Sequence, residues 1–251
     1  MIALITGATA GFGKATAEQF ASNKWNVIIT GRRKTRLEVL ERQLKEKFGV
    51  EVLSLCFDIR KADEVKKALD SVPDSWRNVD LLVNNAGLAS GLSSVQEGTL
   101  SDWEDMIDTN VKGLLYTTRI VSPWMIKNGK GHIINIGSIA GKEVYANGNV
   151  YCATKHAVDA LTKGMRIDLL PHGIRVSQIA PGMAETEFSI VRFKGDEDRA
   201  KKVYQGLQPL TATDIAETIW WVASRPAHVN INDIVIMPSA QANSTTAVRK
   251  S

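Results

Sequence analysis

Seven short apolar runs alternate with longer amphipathic segments, and this alternation limits the fold more than any other feature. The runs are IALIT at 2–6, NVIIT at 26–30, EVLSLC at 51–56, DLLVNNAG at 80–87, GHIINIGS at 131–138, IRVSQIAPG at 174–182 and DIVIMPS at 233–239. Most are continuously apolar, as strands covered on both faces must be. Helical periodicity marks segments near 12–23, 33–47, 61–71, 101–126, 149–171 and 213–224. Strand–helix alternation predicts a parallel sheet with helices on both faces. Right-handed crossovers leave few topologies, of which the doubly wound sheet is the commonest. The expected fold is therefore α/β, one doubly wound domain over 1–251 on a seven-stranded parallel sheet. Segment 183–212 has weaker periodicity, and the polar tail at 240–251 reads as a loose or partner-docked end.

Composition excludes several function classes. The net charge of +4 is mild and its basic residues are spread over many segments, so charge gives no case for nucleic acid. No apolar run approaches a membrane span. Met1 leads straight into a strand and a phosphate loop, so no signal peptide is expected and the reading is cytoplasmic. Cys56 and Cys152 fit no metal spacing and read as reduced thiols. His132, His156, His172 and His228 show no metal spacing either; they read as structural or surface residues, and no metal is expected.

The first run ends in TGATAGFGKA, with Gly7, Gly11 and Gly13 spaced G-x3-G-x-G between a strand and a helix. Glycine allows positive φ and a close approach to a pyrophosphate, and the helix start aims unpaired N–H groups at it. That context makes the loop, with Thr9 and Phe12, an expected dinucleotide cradle. About 20 residues on, an NAD-preferring fold would carry an acidic residue for the ribose 2′-hydroxyl. Here TGRRKTR occupies that zone, and no Asp or Glu lies from 26 to 37. A guanidinium binds a 2′-phosphate in forked geometry. Arg32 and Arg33 are therefore the expected readers of NADP(H), while Lys34 and Arg36 read as a solvated helix start.

A second constellation lies downstream. Tyr151 and Lys155, in YCATK, share one helix face a turn apart. Ser138 ends an apolar run, where parallel sheets build their sites. Asn110 falls on the same stripe as Trp103, Met106, Ile107 and Leu114. An amide on a buried face is costly unless hydrogen-bonded, so it needs a reason.

With Thr6, the glycine loop resembles the T-G-x3-G-x-G motif of the short-chain dehydrogenase/reductases. NNAG at 84–87, Asp58 after the third run, Y-x3-K at 151–155 and PG at 181–182 arrive in that family's order. The resemblance spans essentially the whole chain and implies a Rossmann-type fold. It implies that Asp58, Asn85, Ala86, Gly87, Pro181 and Gly182 join the cofactor site. It makes Tyr151 the general acid/base and gives Lys155 the nicotinamide ribose. Ser138 would hydrogen-bond the reacting oxygen, and Asn110 would hold a water linking Lys155 to solvent. A free phenol, with a pKa of about 10, is too weak a base near neutrality. The neighbouring Lys155 ammonium, together with the positively charged oxidised nicotinamide, is expected to lower that value.

The strings TEFSIVRFKGD, MIDTNVKGL and GHIINIG resemble one subgroup, the NADP-dependent 3-hydroxy acid dehydrogenases, also described as serine/allo-threonine dehydrogenases and malonic semialdehyde reductases. This implies a small hydroxy-acid substrate, a substrate loop at about 183–212 and a homotetramer through 101–126, 149–171 and the last strand. A carboxylate needs a cation beside the reacting carbon, and Arg192, then Lys194, are the candidates. The chain departs from the subgroup at Ala180, in the short MAE stretch, and at Lys142 and Glu143, positions expected at the pocket mouth. A different carbonyl substrate, such as a 3-oxoacyl thioester or sugar-derived ketone, is the alternative. A non-catalytic dinucleotide-binding scaffold is the reading from another class.

Overall fold

In a computed structural model, which describes residues 1–250, the seven apolar runs form β1 (Ile2–Ile5), β2 (Asn26–Gly31), β3 (Val52–Cys56), β4 (Leu81–Asn84), β5 (Gly131–Ile136), β6 (Ile174–Pro181) and β7 (Asp233–Ile236). They make one sheet in the order β3-β2-β1-β4-β5-β6-β7, and every pairing is parallel. The chain winds outward from β1 to β3, then returns to place β4 on the other side of β1. That reversal opens a crevice at the carboxyl ends of β1 and β4, where such sheets bind ligands.

The helices are α1 (Gly11–Ser22), α2 (Lys34–Phe48), α3 (Ala62–Asp70), α4 (Leu100–Ile107), α5 (Leu114–Asn128), α6 (Asn149–Leu169), α7 (Phe188–Arg192), α8 (Glu197–Lys202) and α9 (Ala212–Ala223). Successive strand residues point to opposite faces, so each strand feeds two cores. Ala3, Ile5 and Val83 join Phe20, Leu37, Leu40, Leu44, Ile215 and Ile219 of α1, α2 and α9. Leu4 and Leu82 join Val65, Leu69, Val121, Met125, Val158 and Met165 of α3, α5 and α6. The outer strands β3 and β7 are only partly covered, unlike the fully buried strands expected from their composition.

Three expectations need correction. The single helix near 101–126 is two helices joined by a π-helical turn over Asp108–Gly113. Such turns insert a residue and rotate the downstream helix, often at functional sites. The weakly periodic segment 183–212 contains α7 and α8. The tail folds back on its own chain: Lys250 N–H donates to the Gly206 carbonyl, and Arg249 Nη1 to that of Gln205. Cys56 is exposed and Cys152 buried, and both are free thiols. Among the described residues no helix is long and apolar enough to cross a membrane.

Candidate active site

The glycine loop turns sharply out of β1. Gly7 has φ +69°, which an L side chain rarely adopts, and a Cβ there would meet the Ala86 Cα at 2.9 Å. Gly13 packs underneath, where a Cβ would overlap the Gly7 carbonyl oxygen. Asn85 closes the loop from β4: its Nδ2 donates to the Thr6 carbonyl at 2.8 Å. Thr6 Oγ1 accepts from the backbone N–H groups of Asn85 and Ala86, each at 3.0 Å. Ala10 precedes α1 without a side-chain cap, and Ala10, Gly11 and Phe12 face a cavity of about 540 Å³. Uncapped amides at a helix start fit an anion.

That cavity runs from the ends of β2 and β3 to α6 and α7. Arg32, Arg33, Thr9 and Asp58 line one end. Asn85, Ala86, Gly87, Pro181 and Gly182 line its middle, and Ser138, Tyr151, Lys155 and Arg192 its far end. Gly13, Asn110 and Lys194 lie outside the lining. A guanidinium pair, an uncapped helix start and a long cleft between them have the donors a phosphorylated dinucleotide requires.

At the reactive end, Tyr151 and Lys155 emerge one turn apart on α6 and both are buried. Lys155 Nζ lies 6.0 Å from the centroid of the Tyr151 ring and donates to the Ile136 carbonyl at 2.9 Å. Burial holds the ammonium's pKa down to about 8. Two of its three N–H donors have no partner among the described residues. Ser138 Oγ accepts from the Ala140 N–H at 3.1 Å, which fixes the hydroxyl at the mouth of β5.

Burial pushes the Tyr151 phenol well above its ordinary pKa. Nearby Tyr145 adds to this, while a hydrogen bond with Ser138 and the Arg192 charge act in the opposite direction. This corrects the expectation of a phenol depressed by Lys155. Among the chain's own groups, desolvation exceeds every favourable interaction of the phenolate.

Asn110 sits in the π-helical turn and is buried. Its Nδ2 donates to the Leu88 carbonyl at 2.8 Å and to Thr154 Oγ1 at 3.0 Å, while its Oδ1 accepts from Leu88 N–H at 2.8 Å. Gly87 lies between Asn110 and Lys155: a Cβ there would be 3.3 Å from Asn110 Oδ1 and 3.6 Å from Lys155 Nζ.

Of the two candidate carboxylate-binding cations, Arg192 faces the reactive end. Its guanidinium lies 5.4 Å from the Tyr151 ring centroid and 5.5 Å from that of Tyr145. Nη2 donates to the Tyr145 hydroxyl at 2.7 Å and Nε to the Gly91 carbonyl at 3.3 Å. Nη1 makes no hydrogen bond among the described residues. Lys194 pairs instead with Asp102 at 2.9 Å, outside the cavity. Lys142 and Glu143 do not line the mouth either. Lys142 binds Asp159 at 2.5 Å and also Asp233, and Glu143 accepts from the Ser244 N–H at 2.8 Å. Of the short stretch after the PG motif, Met183 and Ala184 do line the cavity.

Several cavity residues carried no sequence signal. Tyr145 anchors Arg192, Phe188 packs edge-on against Tyr151 at 5.7 Å, and Tyr204 donates to the Ala184 carbonyl at 2.8 Å. Arg36, expected to be solvated, binds Glu187 at 2.7 Å. These contacts join segments far apart in the chain, which periodicity cannot register.

A model of the short chain dehydrogenase family matches residues 1–197. An NADP-dependent 3-hydroxy acid dehydrogenase of Salmonella typhi is 49% identical over 252 residues, covering 100% of both chains. A serine 3-dehydrogenase of Agrobacterium fabrum is 47% identical over 238 residues, covering 95% of this chain and 94% of its own. A solved closed form of serine dehydrogenase complexed with NADP+ superposes with a TM-score of 0.92 at 46% identity, covering 100% of both chains.

Proposed function

The chain belongs to the short-chain dehydrogenase family, and from that premise we propose that it interconverts small 3-hydroxy acids with their 3-oxo acids or semialdehydes. It is an NADP-dependent oxidoreductase that acts on CH–OH groups of hydroxy acids. The preferred substrates are of the serine, allo-threonine and 3-hydroxypropionate type. When bound, NADP(H) supplies or accepts the hydride at its nicotinamide ring.

The chain's own groups do the rest. Thr9, Gly11 and Phe12 hold the pyrophosphate end, Arg32 and Arg33 the 2′-phosphate, and Asp58 the adenine edge. In the reducing direction the Tyr151 phenol, kept protonated by burial, gives its proton to the substrate carbonyl oxygen. In oxidation the phenolate takes that proton from the alcohol. Ser138 donates to the same oxygen and stabilises the charge that develops there. The two free donors of Lys155 would hold the ribose hydroxyls, and its ammonium lies 6.0 Å from the Tyr151 ring centroid.

The observation that carries the substrate class is Arg192. A guanidinium stacked beside the general acid, with Nη1 free, is suited to a carboxylate one or two carbons from the reacting centre. The test is a panel of serine enantiomers, allo-threonine and 3-hydroxypropionate with NADP+, alongside the same alcohols lacking the carboxylate. An Arg192→Ala chain should lose kcat/KM on the acids by about 10- to 100-fold, as for a lost charge-assisted contact. Equal use of carboxylate-free alcohols would return the alternative of a thioester or sugar-derived ketone.

We also propose a homotetramer. Exposed Ile167 of α6, Leu170 just beyond its end and Val235 of β7, at 73%, 72% and 45%, offer apolar surface for contact with other copies. Sedimentation reads the assembly directly.

A further inference from the structure

We propose that Glu187 is a latch that ties the loop after β6 to the start of α2 and sets how fast NADP(H) leaves the site. The inference rests on the NADP reading but concerns a residue that reads neither phosphate nor substrate. Glu187 Oε2 accepts from Arg33 Nη1 at 2.9 Å. Both of its oxygens accept from Arg36 Nη1, at 2.7 and 2.9 Å. Arg33 is itself held from the other side: its Nε and Nη2 donate to Thr9 Oγ1 at 3.1 and 2.8 Å. One carboxylate thus joins the glycine loop, the start of α2 and the loop after β6.

The neighbouring residue extends the crossing. Thr186 lies over the glycine loop, where a Cβ on Gly11 would be 3.4 Å from the Thr186 Cβ. Thr186 and Glu187 line the cavity from one side, and Gly11 and Arg33 from the other. The strap so formed joins two walls of the long cleft, and lifting it would widen the way out for a ligand.

Charge decides whether latch and phosphate can coexist. Two guanidiniums face one carboxylate, which leaves net positive charge, and Arg32 adds a cation loosely paired to Asp58 at 3.7 Å. A 2′-phosphate therefore finds cations to spare without displacing Glu187. The pair is also breakable. Arg33, Arg36 and Glu187 side chains are 42%, 48% and 43% exposed, so water and salt screen the contact. Arg36 does not line the cavity, so it touches the latch and not the ligand.

The test is the release rate of NADPH from the full chain, followed by the loss of its fluorescence on displacement with excess NADP+. Glu187→Gln and Arg36→Ala should each release NADPH roughly three- to fivefold faster, the range of a partly exposed ion pair. The double variant should be no faster than Glu187→Gln alone, because neutralising the carboxylate already weakens its contacts with both Arg33 and Arg36. Arg36→Ala should keep the parent's ratio of NADPH to NADH affinity, whereas Arg33→Ala should lower it. Unchanged release in both single variants overturns the latch. Slower release overturns it too, because it would mean that the carboxylate competes with the phosphate. If the parent chain binds NADPH no better than NADH, the underlying cofactor reading fails instead.

Discussion

Asn110 and Leu88 exchange two hydrogen bonds, both 2.8 Å long, between a side-chain amide and a backbone N–H and carbonyl. The segment after NNAG runs without regular structure beside the reactive end, and this amide completes its backbone pairing as a neighbouring strand would. A third bond, to Thr154, ties it to α6 one residue before Lys155. Replacing Asn110 by Leu leaves buried backbone groups unpaired. Thermal or urea unfolding should show a loss of about 1–3 kcal/mol. Asn110→Asp should be no better, because it removes both donors and buries a charge. A stability within 0.5 kcal/mol of the parent, roughly the range of a surface change, would remove this role.

Lys155 has the opposite sign. Burial lowers its folded pKa to about 8 from an ordinary 10.5, so the ammonium is destabilised in the folded chain. Between those values the unfolded state binds more protons, and stability contributed by this group rises with pH. Below pH 8 the buried charge costs up to about 3 kcal/mol. Lys155→Met should therefore unfold at higher temperature than the cofactor-free parent at pH 7, with the gain shrinking toward pH 10.5. It should also lose nearly all turnover. A destabilised methionine variant at pH 7 contradicts the assignment.

Tyr151→Phe removes the proton donor and little else, since the ring keeps its contact with Phe188 at 5.7 Å. Turnover should fall by about 10²–10⁴. The dissociation constant for NADPH, read by fluorescence, should stay within about threefold. The raised phenol pKa also gives the pH profile a direction. Oxidation of a hydroxy acid, which needs phenolate, should accelerate as pH rises, and reduction should not.

Of the two guanidiniums at the phosphate end, Arg32 is the less committed to protein partners, paired only with Asp58 at 3.7 Å, whereas Arg33 binds Thr9 and Glu187. Arg32→Ala should lower the kcat/KM ratio of NADPH over NADH by about tenfold or more, the size of one charge-assisted hydrogen bond. An unchanged ratio would transfer the reading to Arg33 alone.

His132 offers a test remote from the site. It is buried on β5, its Nε2 lies 2.8 Å from Ser177 Oγ, and burial, then the Arg175 charge, lower its pKa to about 3. Its neutral form is favoured in the folded chain. The stability it confers is complete above the unfolded value of about 6.5 and drains away as pH falls from there toward 3. Urea midpoints should decline across that window in the parent. His132→Asn should start less stable and show a shallower decline.

The fold was almost entirely legible in the order of residues. Continuous apolar runs such as NVIIT and GHIINIG have no polar face to turn to water, so they must form covered parallel strands. Glycines at 7 and 13 betray a backbone that must pass close to Asn85 and Ala86. Tyr151 and Lys155 are legible because helix geometry alone brings residues four apart together. The π-helical turn leaves no sequence signature because an inserted residue changes the period only locally; Met106, Asn110 and Leu114 of the expected stripe are buried, but Ile107 is exposed.

What the chain's own order of residues determines is whatever local geometry and burial enforce: seven strands, their crossovers, an anion cradle and the Tyr–Lys pair. What only the folded molecule decides is which charges meet. Arg192 and Lys194 are both candidates on paper, yet α7 turns the first toward Tyr151 while the second pairs with Asp102. Arg36 looks solvated until Glu187, 151 positions later, is brought to it. Electrostatic contacts depend on distance in space, and distance in space between loops is set by how helices and strands pack, not by spacing along the chain.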